Sequence, residues 1–76
     1  MKDLIEYIAR LLVESPDQVR VEETRRDDTT VFQLRVAKED LGKVIGKNGR
    51  TARSIRSLLG VLSAKEGRKA ILEIVE

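Results

Sequence analysis

The chain has 76 residues, 41% of them hydrophobic and 37% charged, with a formal net charge of +2. That length supports one domain (residues 1–76) with one modest core, and the apolar share is too high for a disordered chain. The absence of His, Cys and Trp removes the usual general base, the thiol nucleophile, any disulfide framework and the commonest zinc ligands.

Catalysis would have to rest on carboxylates, Lys, Ser or Thr, and these form no recognisable constellation, so neither an enzyme nor a cofactor or metal is expected. The longest apolar stretch, residues 58–62, is broken by Gly60 and is far too short to cross a bilayer. Asp3 and Glu6 interrupt the place where a signal peptide would need an apolar run. A cytoplasmic location is expected.

The first element is a helix over residues 2–14. Leu4, Ile5, Ile8, Leu11 and Leu12 fall at i, i+1, i+4, i+7 and i+8, which gathers them on one stripe. Ser15-Pro16-Asp17 ends it, because Pro16 disfavours a helical Ser15 and cannot continue the hydrogen-bond ladder. Val19 and Val21 then alternate with Arg20 and Glu22, and Phe32, Leu34 and Val36 alternate with Gln33 and Arg35. Two half-exposed strands paired as an antiparallel hairpin are the reading. The polar turn Arg26-Asp27-Asp28-Thr29 lacks an Asn-Gly type pair, so a connection longer than two residues is expected.

Asp40 stands as N-cap of a short helix over 41–45, ended by Gly46. After Gly49 a longer helix runs over 50–64, with Ala52, Ile55, Leu58, Leu59 and Leu62 as its apolar stripe. Gly67 breaks the chain, and the β-branched run over 69–75 favours a last strand with Ala70, Leu72 and Ile74 facing the core. The order α-β-β-α-α-β makes an α+β fold, with three helices covering one face of a three-stranded sheet in two layers.

Charge is unevenly distributed. From 41 to 65 there are six basic residues (Lys43, Lys47, Arg50, Arg53, Arg56 and Lys65) and no acidic one, while the rest carries nine basic against thirteen acidic. Such asymmetry focuses a positive field on one region of a fold; the bland alternative is a solvated basic helix face. Inside that region, Gly46-Lys47-Asn48-Gly49 lies between the two helices. Glycines permit positive φ and close approach of a ligand to the main chain, and the start of the next helix favours an anion. Lys47 and Asn48 add a cation and an amide at the tip, with Arg50 and Arg53 three apart beyond it. A bare Gly-x-x-Gly is a weak signal, and two glycines could simply make a corner. A P-loop is excluded because Gly42 and Gly46 have three residues between them and Lys47 is followed by Asn48; a dinucleotide fingerprint lacks its first Gly-x-Gly.

The wider run Gly42-Lys43-Val44-Ile45-Gly46-Lys47-Asn48-Gly49-Arg50-Thr51-Ala52, preceded by a strand and short helix and followed by a helix with Ile55, resembles the KH-domain signature, whose loop clamps the backbone of about four nucleotides. The element order resembles the type II arrangement, which implies a mixed sheet in which the strands flanking the helix pair run parallel. Together with Ser15-Pro16-Asp17 and Val19-Arg20-Val21, the run is similar to the small bacterial stand-alone KH proteins of the KhpA (YlqC) type. That resemblance covers almost the whole chain. It implies single-stranded RNA as partner, a homodimer or a heterodimer with a larger multidomain KH protein of the Jag (KhpB) type, and a role in post-transcriptional regulation, as an RNA chaperone, and in cell shape. Ala52 stands where many KH domains carry a large aliphatic residue, which implies a shallower base groove or room for a partner helix.

The site expected from both readings comprises Gly46 and Gly49 for the turn, Lys47 and Asn48 on the backbone, and Arg50, Arg53, Arg56 and Lys43 as attraction for phosphate. Ile45 and Ile55 line an apolar groove for bases, or are plain core. The only aromatics, Tyr7 and Phe32, fall at positions assigned to core, so base stacking is not expected. Two rivals remain open. One is a protein-interaction module, dimerising or docking through apolar faces such as Val31, Ile71 and Val75, with RNA incidental. The other is a DNA-binding helix-turn-helix, disfavoured by two glycines in the corner and a preceding hairpin.

Overall fold

The computed structural model describes residues 1–75. Its elements run α1 (Lys2–Leu12), β1 (Arg20–Arg26), β2 (Thr29–Arg35), α2 (Leu41–Ile45), α3 (Arg50–Lys65) and β3 (Lys69–Val75), with 3-10 turns at Pro16–Gln18, Lys38–Asp40 and Lys47–Gly49. The thinnest dimension of the Cα trace is 17 Å, room for one helix layer on one sheet. This is the expected α+β, type II arrangement. β2 is central: β1 pairs with it antiparallel, with Glu23 opposite Phe32, and β3 pairs with it parallel, with Val31 opposite Ile71.

The two-residue period of the strands decides which side chains meet the helices. Val21, Phe32, Leu34 and Leu72 point inward and join Ile5 and Ala9 of α1, Val44 of α2, and Ile55 and Leu59 of α3 in one core. Ala70 and Ile74 pack against it as expected.

Four local expectations are corrected. First, α1 stops at Leu12, with Val13 extended at φ −96°, ψ 163°. Its apolar arc is wider than the sheet can cover. The buried line is Ile5 and Ala9, while Leu11 and Tyr7 are 69% and 63% exposed and Leu12 is also exposed. Tyr7 is therefore not a core residue, whereas Phe32 is.

Second, α3 buries Ala52, Ile55, Leu59 and Ser63, and Leu58 is exposed. Ser63 fits inside because its hydroxyl donates to the Gly60 carbonyl at 3.3 Å, which satisfies it without water. Third, the hairpin is tight. Arg26 pairs with Thr29, leaving only Asp27 and Asp28 in the turn, and Asp27 takes φ 50°. Asp tolerates that left-handed conformation better than most residues, and Arg68 donates to the Asp27 carbonyl at 3.3 Å.

Fourth, Asp40 occupies the position before α2 but does not cap it. Its carboxylate, 1% exposed, instead accepts the backbone N–H of Glu14 at 3.2 Å and of Ser15 at 3.1 Å. The residue thus ties the end of α1 to the start of α2.

Candidate nucleic-acid interface

The turn between α2 and α3 is dictated by backbone geometry. Gly46 has φ 79°, ψ 169°, a region essentially reserved for glycine. A Cβ there would overlap the Thr51 hydroxyl and lie 2.7 Å from the Thr51 backbone nitrogen. Asn48 (φ 58°, ψ 27°) and Gly49 (φ 74°, ψ 13°) follow in the left-handed region. Three internal bonds hold the corner: the Gly46 N–H donates to the Gly42 carbonyl at 2.9 Å, that of Gly49 to the Gly46 carbonyl at 3.1 Å, and that of Arg50 to the Lys47 carbonyl. The result is a rigid, side-chain-poor corner opening directly into the first turn of α3, which no side chain caps.

Lys47, Asn48 and Arg50 are exposed around this corner, and among the described residues neither Lys47 nor Arg50 has a carboxylate partner. Arg53 turns back toward the corner, donating to the Asn48 carbonyl at 3.3 Å. Arg56, one turn further, donates through Nε and Nη2 to the Leu72 carbonyl at 3.4 and 3.3 Å. Arg50, Arg53 and Arg56 therefore descend one flank of α3 from the corner to the outer edge of the sheet, where β3 is the last strand. The Lys69 N–H bonds to Asp28 at 2.8 Å, so alternate residues of β3 face β2. The backbone groups of Ala70, Leu72 and Ile74 point to the open edge.

Some of the expected site residues are not brought to this flank. Lys43 lies 3.8 Å from both Glu14 Oε1 and Asp40 Oδ1, at the α1–α2 junction. Ile45 is 40% exposed at the foot of the corner, but Ile55 is only 6% exposed and belongs to the core. Ala52 is itself buried. Sequence reasoning missed the open edge of β3 beside Arg56, because strand order is invisible in a linear pattern. A water-sized pocket of about 50 Å³, lined in part by Glu23, Thr30, Ser63 and Arg68, lies at the opposite end of α3 and is separate from the corner. No helix among the described residues is long and apolar enough to cross a membrane, and they contain no cluster of three acidic side chains able to hold a metal.

Comparison with known proteins bears on the family. A family model described as KhpA/KhpB, KH domain, matches residues 2–74. The RNA-binding protein KhpA of Aquifex aeolicus is 46% identical over 76 residues, covering 100% of this chain and 96% of the relative. That of Clostridium acetobutylicum is 44% identical over 75 residues, 99% of this chain and 100% of the relative. No solved structure matches at a significant level. The family is not an enzyme family. A full-length match, the α-β-β-α-α-β order and the glycine corner at 46–49 lead to one conclusion: this chain belongs to the KhpA/KhpB KH-domain family.

Proposed function

We propose that this protein binds single-stranded RNA, holding the phosphate backbone at the corner 46–49 and laying the bases along the flank of α3 toward the edge of β3. The carrying observation is the corner itself: a glycine at each end, an uncapped helix start, and exposed Lys47 and Arg50. An anion is favoured there by the helix dipole and by three or four basic side chains. Gly46 and Gly49 permit the close approach, Lys47 and Asn48 contact phosphate, and Arg50, Arg53 and Arg56 extend the attraction. Ile45 offers apolar surface to a base, whereas Ile55 stays in the core and Lys43, beside Glu14 and Asp40, lies away from the path of the strand.

The relatives' name, RNA-binding protein KhpA, supports the same ligand class. With Phe32 buried and Tyr7 out on α1, the bases are held by hydrogen bonding and apolar contact, with no stacking platform. A single domain contacts few nucleotides, so binding is weak and salt-sensitive unless a second domain adds avidity. In the cell the protein acts in the cytoplasm as a post-transcriptional regulator or RNA chaperone, as a homodimer or with a larger Jag (KhpB)-type KH protein.

The test is a fluorescence-anisotropy titration of a mixed-sequence single-stranded RNA. It compares the natural chain with Lys47→Asp plus Asn48→Asp, with a thermal melt to confirm folding. Binding by the natural chain and none by the folded variant supports the corner as the RNA clamp. Equal binding, or none by either, overturns it and makes protein docking the leading account.

A further inference from the structure

Arg56 is placed unlike the other basic residues of α3. It gives both Nε and Nη2 to a single acceptor, the Leu72 carbonyl, at 3.4 and 3.3 Å. Among the described residues no carboxylate pairs with it. A guanidinium carries five N–H donors, so the fork formed by Nη1 and the outer proton of Nη2 stays free. The Leu72 N–H points to the same open edge as its carbonyl. A bare strand would offer a donor and an acceptor there; with the carbonyl taken, the edge beside Arg56 presents donors.

Gly60 lies one turn beyond Arg56 on the same flank of α3. It is exposed in the interior of a 16-residue helix, and nothing lies within 4 Å of where its Cβ would stand. It is not among the glycines with positive φ. Neither backbone nor packing within the monomer calls for glycine at this position, although glycine weakens a helix interior. A side chain there would lean over the preceding turn, which carries Arg56. Its absence leaves the guanidinium uncovered, with bare helix on one side and the strand edge on the other.

We propose that Arg56, the Leu72 N–H and the bare helix surface at Gly60 form a base-reading subsite that selects a nucleobase with two adjacent acceptors. Guanine presents O6 and N7, and cytosine O2 and N3. Adenine interposes its amine between N1 and N7, and uracil its N3–H between O2 and O4. The planar fork that takes guanine O6 and N7 in a duplex is open here to an unpaired base. Adenine's amine, which a free Leu72 carbonyl would accept, meets the guanidinium instead. The subsite adds sequence preference to a corner that holds only phosphate. It rests on the RNA reading proposed above and deepens it.

The experiment is a set of anisotropy titrations of the full chain with labelled uridine strands of about ten nucleotides. The strands carry one central guanine, cytosine or adenine, or none. The natural chain is expected to bind the guanine or the cytosine strand at least about five-fold more tightly than the adenine and all-uridine strands. Arg56→Lys keeps the charge but not the planar fork. It is expected to bring the four strands within about two-fold of one another and to leave the salt slope unchanged. Gly60→Leu is expected to melt no lower than the natural chain, because Leu favours a helix, and to bind every strand more weakly.

An adenine or all-uridine strand bound as tightly as the other two overturns the subsite. So does Arg56→Lys with the natural preference, or a folded Gly60→Leu with the natural affinity. Lys47→Asp plus Asn48→Asp is expected to lose all four strands alike. If that variant binds normally while Arg56→Lys flattens the preference, the corner reading falls and the subsite stands. A natural chain that binds none of the strands overturns both.

Discussion

A side-chain carbon placed on Gly46 would lie 2.7 Å from the backbone nitrogen of Thr51, in the first turn of α3. Gly49, three residues on, has nothing within 4 Å of the same position. The two glycines of the corner are thus constrained differently. Gly46→Ala combines a steric overlap with a glycine-only backbone conformation and is expected to cost about 2–4 kcal/mol. Gly49→Ala pays only for a left-handed alanine, about 1 kcal/mol. Urea unfolding of both variants checks the order; equal losses would mean that the Thr51 contact does not constrain the corner.

Asp40 holds the α1–α2 junction through two backbone N–H groups. Asp40→Ala leaves both without their acceptor beside the core, and a loss of about 2–4 kcal/mol is expected. Asp40→Asn retains one good acceptor and should lose about half as much. Chemical denaturation measures both; a loss under about 0.5 kcal/mol for the alanine variant would show that water replaces the carboxylate.

Leu11 and Ile5 lie on the same helix and look equivalent in the sequence, yet Leu11 is 69% and Ile5 1% exposed. Leu11→Ser is expected to change stability by no more than about 0.5 kcal/mol, against about 2–5 kcal/mol for Ile5→Ala. Thermal or urea melts decide. A large loss for Leu11→Ser at low protein concentration would place that flank against something within the monomer.

RNA affinity should fall with salt in proportion to the phosphate contacts, each contributing about 0.7 to the log–log slope for a single strand. Lys47→Ala is expected to lower affinity and reduce the slope by about that amount. Lys43→Ala, whose ammonium lies by Glu14 and Asp40, should leave the slope almost unchanged. Anisotropy titrations at several salt concentrations give both slopes. A larger effect at Lys43 than at Lys47 would move the anion site off the corner.

Much of the fold was legible because its signals are local. The bounds of α2 and β3 follow from Asp40, Gly46, Gly67 and the β-branched run, and α3 from its three-and-four spacing. The corner 46–49 was legible for the same reason, since glycine position is itself a statement about φ. The hairpin turn was misread because two aspartates carry a weaker turn signal than Asn-Gly, and only Asp27 needed a positive φ. Asp40 was placed correctly and its partners were missed, because Glu14 and Ser15 lie 25 or more residues away.

By itself the sequence determined the element order, the glycine corner and the basic stretch from 41 to 65, all of which depend on residue type at short spacing. The tertiary structure alone decided which apolar positions are core. α1 and α3 each offer a wider apolar arc than one sheet face can cover, so packing selects Ile5 over Leu11 and Ser63 over Leu58. It also decided that Arg56 reaches the edge of β3 and that Lys43 turns away. Strand order and register are non-local, and they bring together side chains that no periodicity along the chain connects.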